Sequence, residues 1–104
     1  MREILSLLAS EEAQLDYEKN VPYVNITAEL VCMWFDDLYH PDESWFRAEF
    51  TEDELTALAE FNRFYDDREK QLPESRGTVR TWLANPIWRE IMSKAHETFG
   101  RIAA

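Results

Sequence analysis

Apolar residues recur along this chain at intervals of three and four, and that spacing predicts helix after helix with no convincing strand. Over residues 2–19, Ile4, Leu8 and Leu15 share a face, flanked by Leu5 and Leu7. Glu11 and Glu12 intrude on that face, so a break near Ser10, a capable N-cap, is expected. Pro22, within "NVPYVN", discourages continuation into the next element. Asn25 can cap a second helix over residues 26–40, which Pro41 stops.

The strongest local signal is "FTEDEL". Thr51 stands as N-cap with Glu54 three residues on, completing a capping box, while Phe50 and Leu55 occupy the positions of a hydrophobic staple. Three acids in that first turn suit the helix dipole. This helix is expected to reach about Gln71, with Pro73 and Gly77 ending it. A short helix over 78–84 turns Val79, Trp82 and Leu83 inward. Asn85 and Pro86 then open the last helix as N-cap and first residue. Its apolar face carries Ile87, Trp88, Ile91, Met92, Ala95, Phe99 and Ile102, and Gly100 sits where a terminating glycine would. On its polar face, Glu90 with Lys94 and Glu97 with Arg101 stand as i,i+4 pairs. The fold expected is all-α, a compact bundle of four to five helices in a single domain over residues 1–104.

The second helix poses the functional question. Its end and the following loop read "WFDDLYHPDESWF", four carboxylates, a histidine and five aromatics in thirteen residues. At 100° per residue, Leu30, Val31, Trp34, Phe35 and Leu38 form the inward face. Glu29, Asp36 and His40 align on the opposite stripe, and a histidine four residues from a carboxylate can chelate a metal. That stripe points away from the core and no second half of a di-iron pattern exists, so a solvated polar face is the better reading and no metal or other cofactor is expected. Ile26, Cys32, Met33 and Tyr39 flank the stripe and leave little of the circumference polar. Such a helix belongs at the centre of a bundle or under a partner.

Composition narrows the classes. The 104 residues are enough for one core, 45% are hydrophobic, and two glycines and four prolines are too few for a turn-dense β fold. The net charge of −10 is uneven: residues 1–69 hold 18 acids against five bases, whereas residues 70–104 hold three against six. That balance disfavours nucleic acid and anionic membrane and favours a basic protein partner. One cysteine rules out a disulfide framework, and no secretory or membrane-spanning segment is read, so the cytoplasm is the expected compartment. Asn62 falls within the apolar face of the third long helix and needs a hydrogen-bond partner from a neighbouring element. Cys32 has no basic neighbour and reads as an inert thiol.

No nucleophile motif, P-loop or glycine-rich cradle is present, and adjacent acids such as Asp36–Asp37 and Asp66–Asp67 diverge on a helix, so the reading leans away from an enzyme. "EFTEDELTAL" resembles the helix opening of bacterial immunity proteins of the colicin type, which are small, acidic and helical. The likeness spans ten residues, mostly capping-box chemistry, and the adjacent tyrosine pair with which that family grips its toxin is absent. What it implies is a physical logic, an acidic helical face masking a basic partner. The leading expectation is therefore an interaction protein with an inhibitor, antitoxin or immunity-like role. Asp36, Asp37, Asp42, Glu43, Trp45 and Glu49 would form its partner-binding face. In such a loop Trp45 and Phe46 are expected to tuck over the core edge; otherwise the two form an aromatic anchor rimmed by acids, as in a hot spot against a basic partner. Two further classes stay open: a homo-oligomeric structural subunit, and a carboxylate-metal enzyme in which Asp36 or Asp37 meets Asp66 or Asp67.

Overall fold

The computed structural model describes residues 1–21, 25–72 and 78–102. Among the described residues there are seven helices and no strand: α1 (Arg2–Ala9), α2 (Glu11–Asn20), α3 (Ile26–Cys32), α4 (Ser44–Arg47), α5 (Glu52–Glu69), α6 (Val79–Leu83) and α7 (Pro86–Ile102). Beyond Cys32, α3 runs on as a wide π-helical turn, Met33–Leu38. Five of the helices have seven residues or more; α4 and α6 are single turns.

The starts obey their caps. Ser10 leaves helical geometry at φ −117°, ψ 117° and its side chain accepts from the Ala13 amide at 3.1 Å, so one residue ends α1 and begins α2. Asn25 accepts from Ala28, and Asn85 accepts from the Ile87 amide at 2.8 Å. At α5 the capping box is complete: the Thr51 hydroxyl accepts from the Glu54 amide at 3.1 Å, and the Glu54 carboxylate accepts from the Thr51 amide at 2.9 Å. Pro22, Pro73 and Gly77, expected to act as stops, lie outside the described residues. At the other end of the chain Gly100 does not terminate α7. The helix continues to Ile102, which is buried, because the core still has an apolar place for it one turn on.

The centre of the molecule is α7. It packs most extensively on α1, then on α5, and also touches α6. Ile4, Leu5 and Leu8 of α1 meet a core with Trp88, Ile91, Met92 and Ala95 of α7 and Ala57, Leu58, Phe61 and Tyr65 of α5. Each fully buried leucine there contributes roughly 1.5–3 kcal/mol relative to exposure. The helix that looked central by pattern, α3, lies instead to one side, against α6 and, through Trp34, against Phe61 of α5.

Most charges on α7 pair across helices. Arg101 reaches Glu60 on α5 at 2.6 Å, Arg68 of α5 reaches Glu90 at 3.5 Å, and Arg89 reaches Glu11 on α2 at 3.5 Å. The expected i,i+4 partners are thus taken by neighbouring helices, and Lys94 settles on Glu97 at i,i+3. The Arg101 guanidinium holds the Glu60 carboxyl below its usual range by a direct hydrogen bond and by its charge.

A polar residue that no apolar pattern marks closes the core. Gln14 of α2 is fully buried, whereas Leu15 beside it is only half-buried. Its Nε2 donates at 3.1 Å to the Leu7 carbonyl, which also accepts from the Ser10 amide at 3.3 Å, and at 3.0 Å to the Leu8 carbonyl at the C-terminal end of α1. Its Oε1 accepts from the Trp88 indole at 3.0 Å.

Candidate functional site

The site is set by how α3 ends. In an α-helix, Leu38, four residues after Trp34, would lie over it and face inward. The π turn inserts one residue into that spacing: the Tyr39 amide donates to the Trp34 carbonyl at 3.0 Å, an i→i−5 bond. Tyr39 therefore takes the place over Trp34, with the rings stacked at 4.9 Å and 12°. Leu38 is rotated outward and is 40% exposed. This corrects the inward assignment of Leu38, and the cause is tertiary, since stacking on Trp34 favours the aromatic residue.

Trp34 cannot yield in that arrangement. Its indole N–H donates to Asn62 Oδ1 at 3.0 Å, the partner that Asn62 was expected to need, and Phe61 meets it edge-on at 4.7 Å. Just ahead of the wide turn, the Tyr65 hydroxyl donates to the Leu30 carbonyl at 3.2 Å. Burial, with Glu69 and Cys32 adding to it, pushes the Tyr65 phenol well above its ordinary pKa.

Residues 39–50 form a braced loop. The Arg47 guanidinium donates to the Pro41 carbonyl at 2.9 Å, and His40 Nε2 lies 2.9 Å from the Asp37 carbonyl. Within α4, neighbouring side chains diverge by about 100°, which splits the aromatic pair. Phe46 is buried, edge-on to Tyr39 at 5.6 Å and 5.1 Å from Phe50. Trp45 points outward, 55% exposed, with its ring 5.9 Å from that of His40.

All six residues expected on the partner-binding face, Asp36, Asp37, Asp42, Glu43, Trp45 and Glu49, are exposed. Asp37 and Trp45 are joined through His40, which touches the backbone of one and the ring of the other. Asp42 lies near Tyr39, whose phenol is raised first by burial and then by that carboxylate, against an opposing pull from Arg63. Asp36 turns to another side, toward Cys32. That thiol is pushed up by burial, by a hydrogen bond to Asp36 and by the charges of Asp36, Asp37 and Glu29, consistent with an unreactive cysteine.

The stripe of Glu29, Asp36 and His40 does not converge. Glu29 accepts from the Tyr17 hydroxyl at 3.5 Å, Asp36 faces Cys32, and His40 lies past the helix end on the Asp37 carbonyl. Asp66, suggested as a second-helix partner for a metal, pairs with Lys70 at 3.5 Å. Among the described residues, no three His, Cys, Asp or Glu side chains come together as a cation site.

What pattern reasoning missed is a groove of about 340 Å³ between α1 and the wide turn, lined by Glu3, Ile4, Leu7, Met33, Asp37 and Leu38. Its only advance signal was an aromatic residue five positions after Trp34, a spacing that competes with Leu38 for the same place. No protein-family model, curated protein or solved structure matches the chain. No described helix is long and apolar enough to cross a membrane.

Proposed function

We propose that this chain is an interaction protein that binds a basic protein partner through the acidic end formed by residues 36–49, in an inhibitor, antitoxin or immunity-like role. One observation carries the reading. None of Asp36, Asp37, Asp42, Glu43 and Glu49 has a salt bridge among the described residues, and an exposed Trp45 stands among them on a braced loop. An exposed aromatic rimmed by acids is the arrangement from which binding hot spots against a basic surface are made. By contrast, Arg89, Lys94 and Arg101 of the basic C-terminal third are engaged with Glu11, Glu97 and Glu60. Self-association through Arg89, Lys94 and Arg101 with the acidic end of a second copy would compete with those pairs, which ranks the homo-oligomeric reading second.

The test is capture from source-cell lysate by the tagged protein, at low and high salt, beside Trp45→Ala and the Asp42→Lys/Glu43→Lys double variant. The expected result is a near-stoichiometric basic protein that salt releases and that both variants fail to hold. Equal retention by the variants would sink the site, and recovery of the chain alone would move self-association to first place.

A further inference from the structure

We infer that the groove between α1 and the wide turn of α3 seats the apolar face of a basic amphipathic helix of that partner; this rests on the reading above and adds its second contact. Four of the six lining side chains, Ile4, Leu7, Met33 and Leu38, are apolar, the other two, Glu3 and Asp37, are acids, and no base lines it. The Glu3 carboxylate lies 3.8 Å from the N-terminal ammonium, yet its side chain remains 95% exposed and so faces solvent at the rim. An apolar floor between two acidic rims is complementary to leucine-like side chains flanked by lysine or arginine. The neighbouring groove, lined by Arg2, Glu3, Ser6, Leu7, Ala13 and Phe99, mixes both charges and lacks that selectivity.

Two further observations point to an occupant. Leu38 is on the surface because the π turn puts Tyr39 in its place, and such turns are rare in helices and concentrate at functional sites. The same helix is apolar nearly all round but does not occupy the centre of the bundle, so part of its apolar surface has no cover from this chain. A helical occupant suits this groove: among the described residues no sheet edge is offered to an extended peptide, and an apolar groove flanked by acids complements an amphipathic helix that presents apolar anchors at i, i+3, i+4 and i+7. The groove is open along its side, which suits the flank of a helix better than an enclosed small molecule. Asp37 ties the two contacts together, because it lines the groove and its carbonyl holds His40 against Trp45.

The experiment is a titration of the isotope-labelled protein, at low salt, with two synthetic helical peptides of equal positive charge. One has leucines at i, i+3, i+4 and i+7 on a lysine background; the other has serines at those positions. The leucine peptide is expected to bind at least about tenfold more tightly, with amide shifts at Leu7, Met33 and Leu38, and Leu38→Ser to remove most of that margin. The Asp42→Lys/Glu43→Lys variant should weaken both peptides alike. Equal affinities, with shifts confined to the surroundings of Trp45, would overturn the groove and leave the acidic docking surface standing. Failure of both peptides to bind would overturn both. If sedimentation of the protein alone gives a dimer that Leu38→Ser dissolves, the occupant is a second copy and the inference is overturned.

Discussion

Two indole N–H groups in this molecule donate to a side-chain amide at the same 3.0 Å, Trp88 to Gln14 and Trp34 to Asn62, in opposite surroundings. Gln14 is fully buried and spends its amide on three partners, so that α1, α2 and α7 are held by one side chain. Asn62 is half-buried, and the indole it holds lies under the wide turn that exposes Leu38. The difference teaches where the molecule is closed and where it is open. Around Gln14 the chain satisfies itself. Around Trp34 it fixes one ring firmly and leaves the next layer, Leu38, Trp45 and the acids, facing out.

The largest expected effect attacks this contrast directly. Gln14→Ala strands the Trp88 N–H and the Leu8 carbonyl away from water and should cost about 3 kcal/mol, whereas Asn62→Ala, where water can replace the amide, should cost about 1 kcal/mol. Urea unfolding curves measure both, and equal losses would break the comparison. Next comes Tyr65→Phe, which removes the hydroxyl from the Leu30 carbonyl and should cost about 1 kcal/mol at neutral pH. It also carries a pH signature. Tyr65 is raised in the folded state, so the unfolded chain loses this proton first, and stability is intact below about pH 10 and falls as pH rises beyond it. Melting temperatures from pH 8 to 11 should fall less steeply for the phenylalanine variant; Tyr17 and Tyr39, also raised, keep a residual slope. The smallest effect on stability is expected for Trp45→Ser, within about 0.5 kcal/mol, as for a surface position. The same substitution should nevertheless abolish most acrylamide-quenchable fluorescence, because Trp34, Trp82 and Trp88 are 0%, 2% and 0% exposed. Persistent quenching would mean that the core end is looser than the contrast requires.

The caps at Ser10, Asn25, Thr51 and Asn85 were legible because each is settled within three or four residues of itself. So was the inward face of α7, where period and packing agree. Gln14 was not, since its reason for burial is a tryptophan 74 positions away. Leu38 was misplaced because a helical wheel assumes an even 100° step, and the stack of Tyr39 on Trp34 changes that step locally. For the candidate face, exposure of five carboxylates followed from charge and position. The splitting of Trp45 from Phe46 required α4, a single turn that no periodic signal announces.

The seam between α1 and α7 has a kinetic consequence. Small helical bundles fold quickly because most of their contacts are local, but here the most extensive helix pair joins the first helix to the last. Bringing them together closes a loop of most of the chain, and the entropy of that closure must be met before Leu5 or Ile91 is covered. Terminal helices ordinarily fray and exchange their amide protons early. In this molecule each packs on the other, so hydrogen exchange is expected to show the amides of α1 and α7 gaining and losing protection together, as one cooperative clasp.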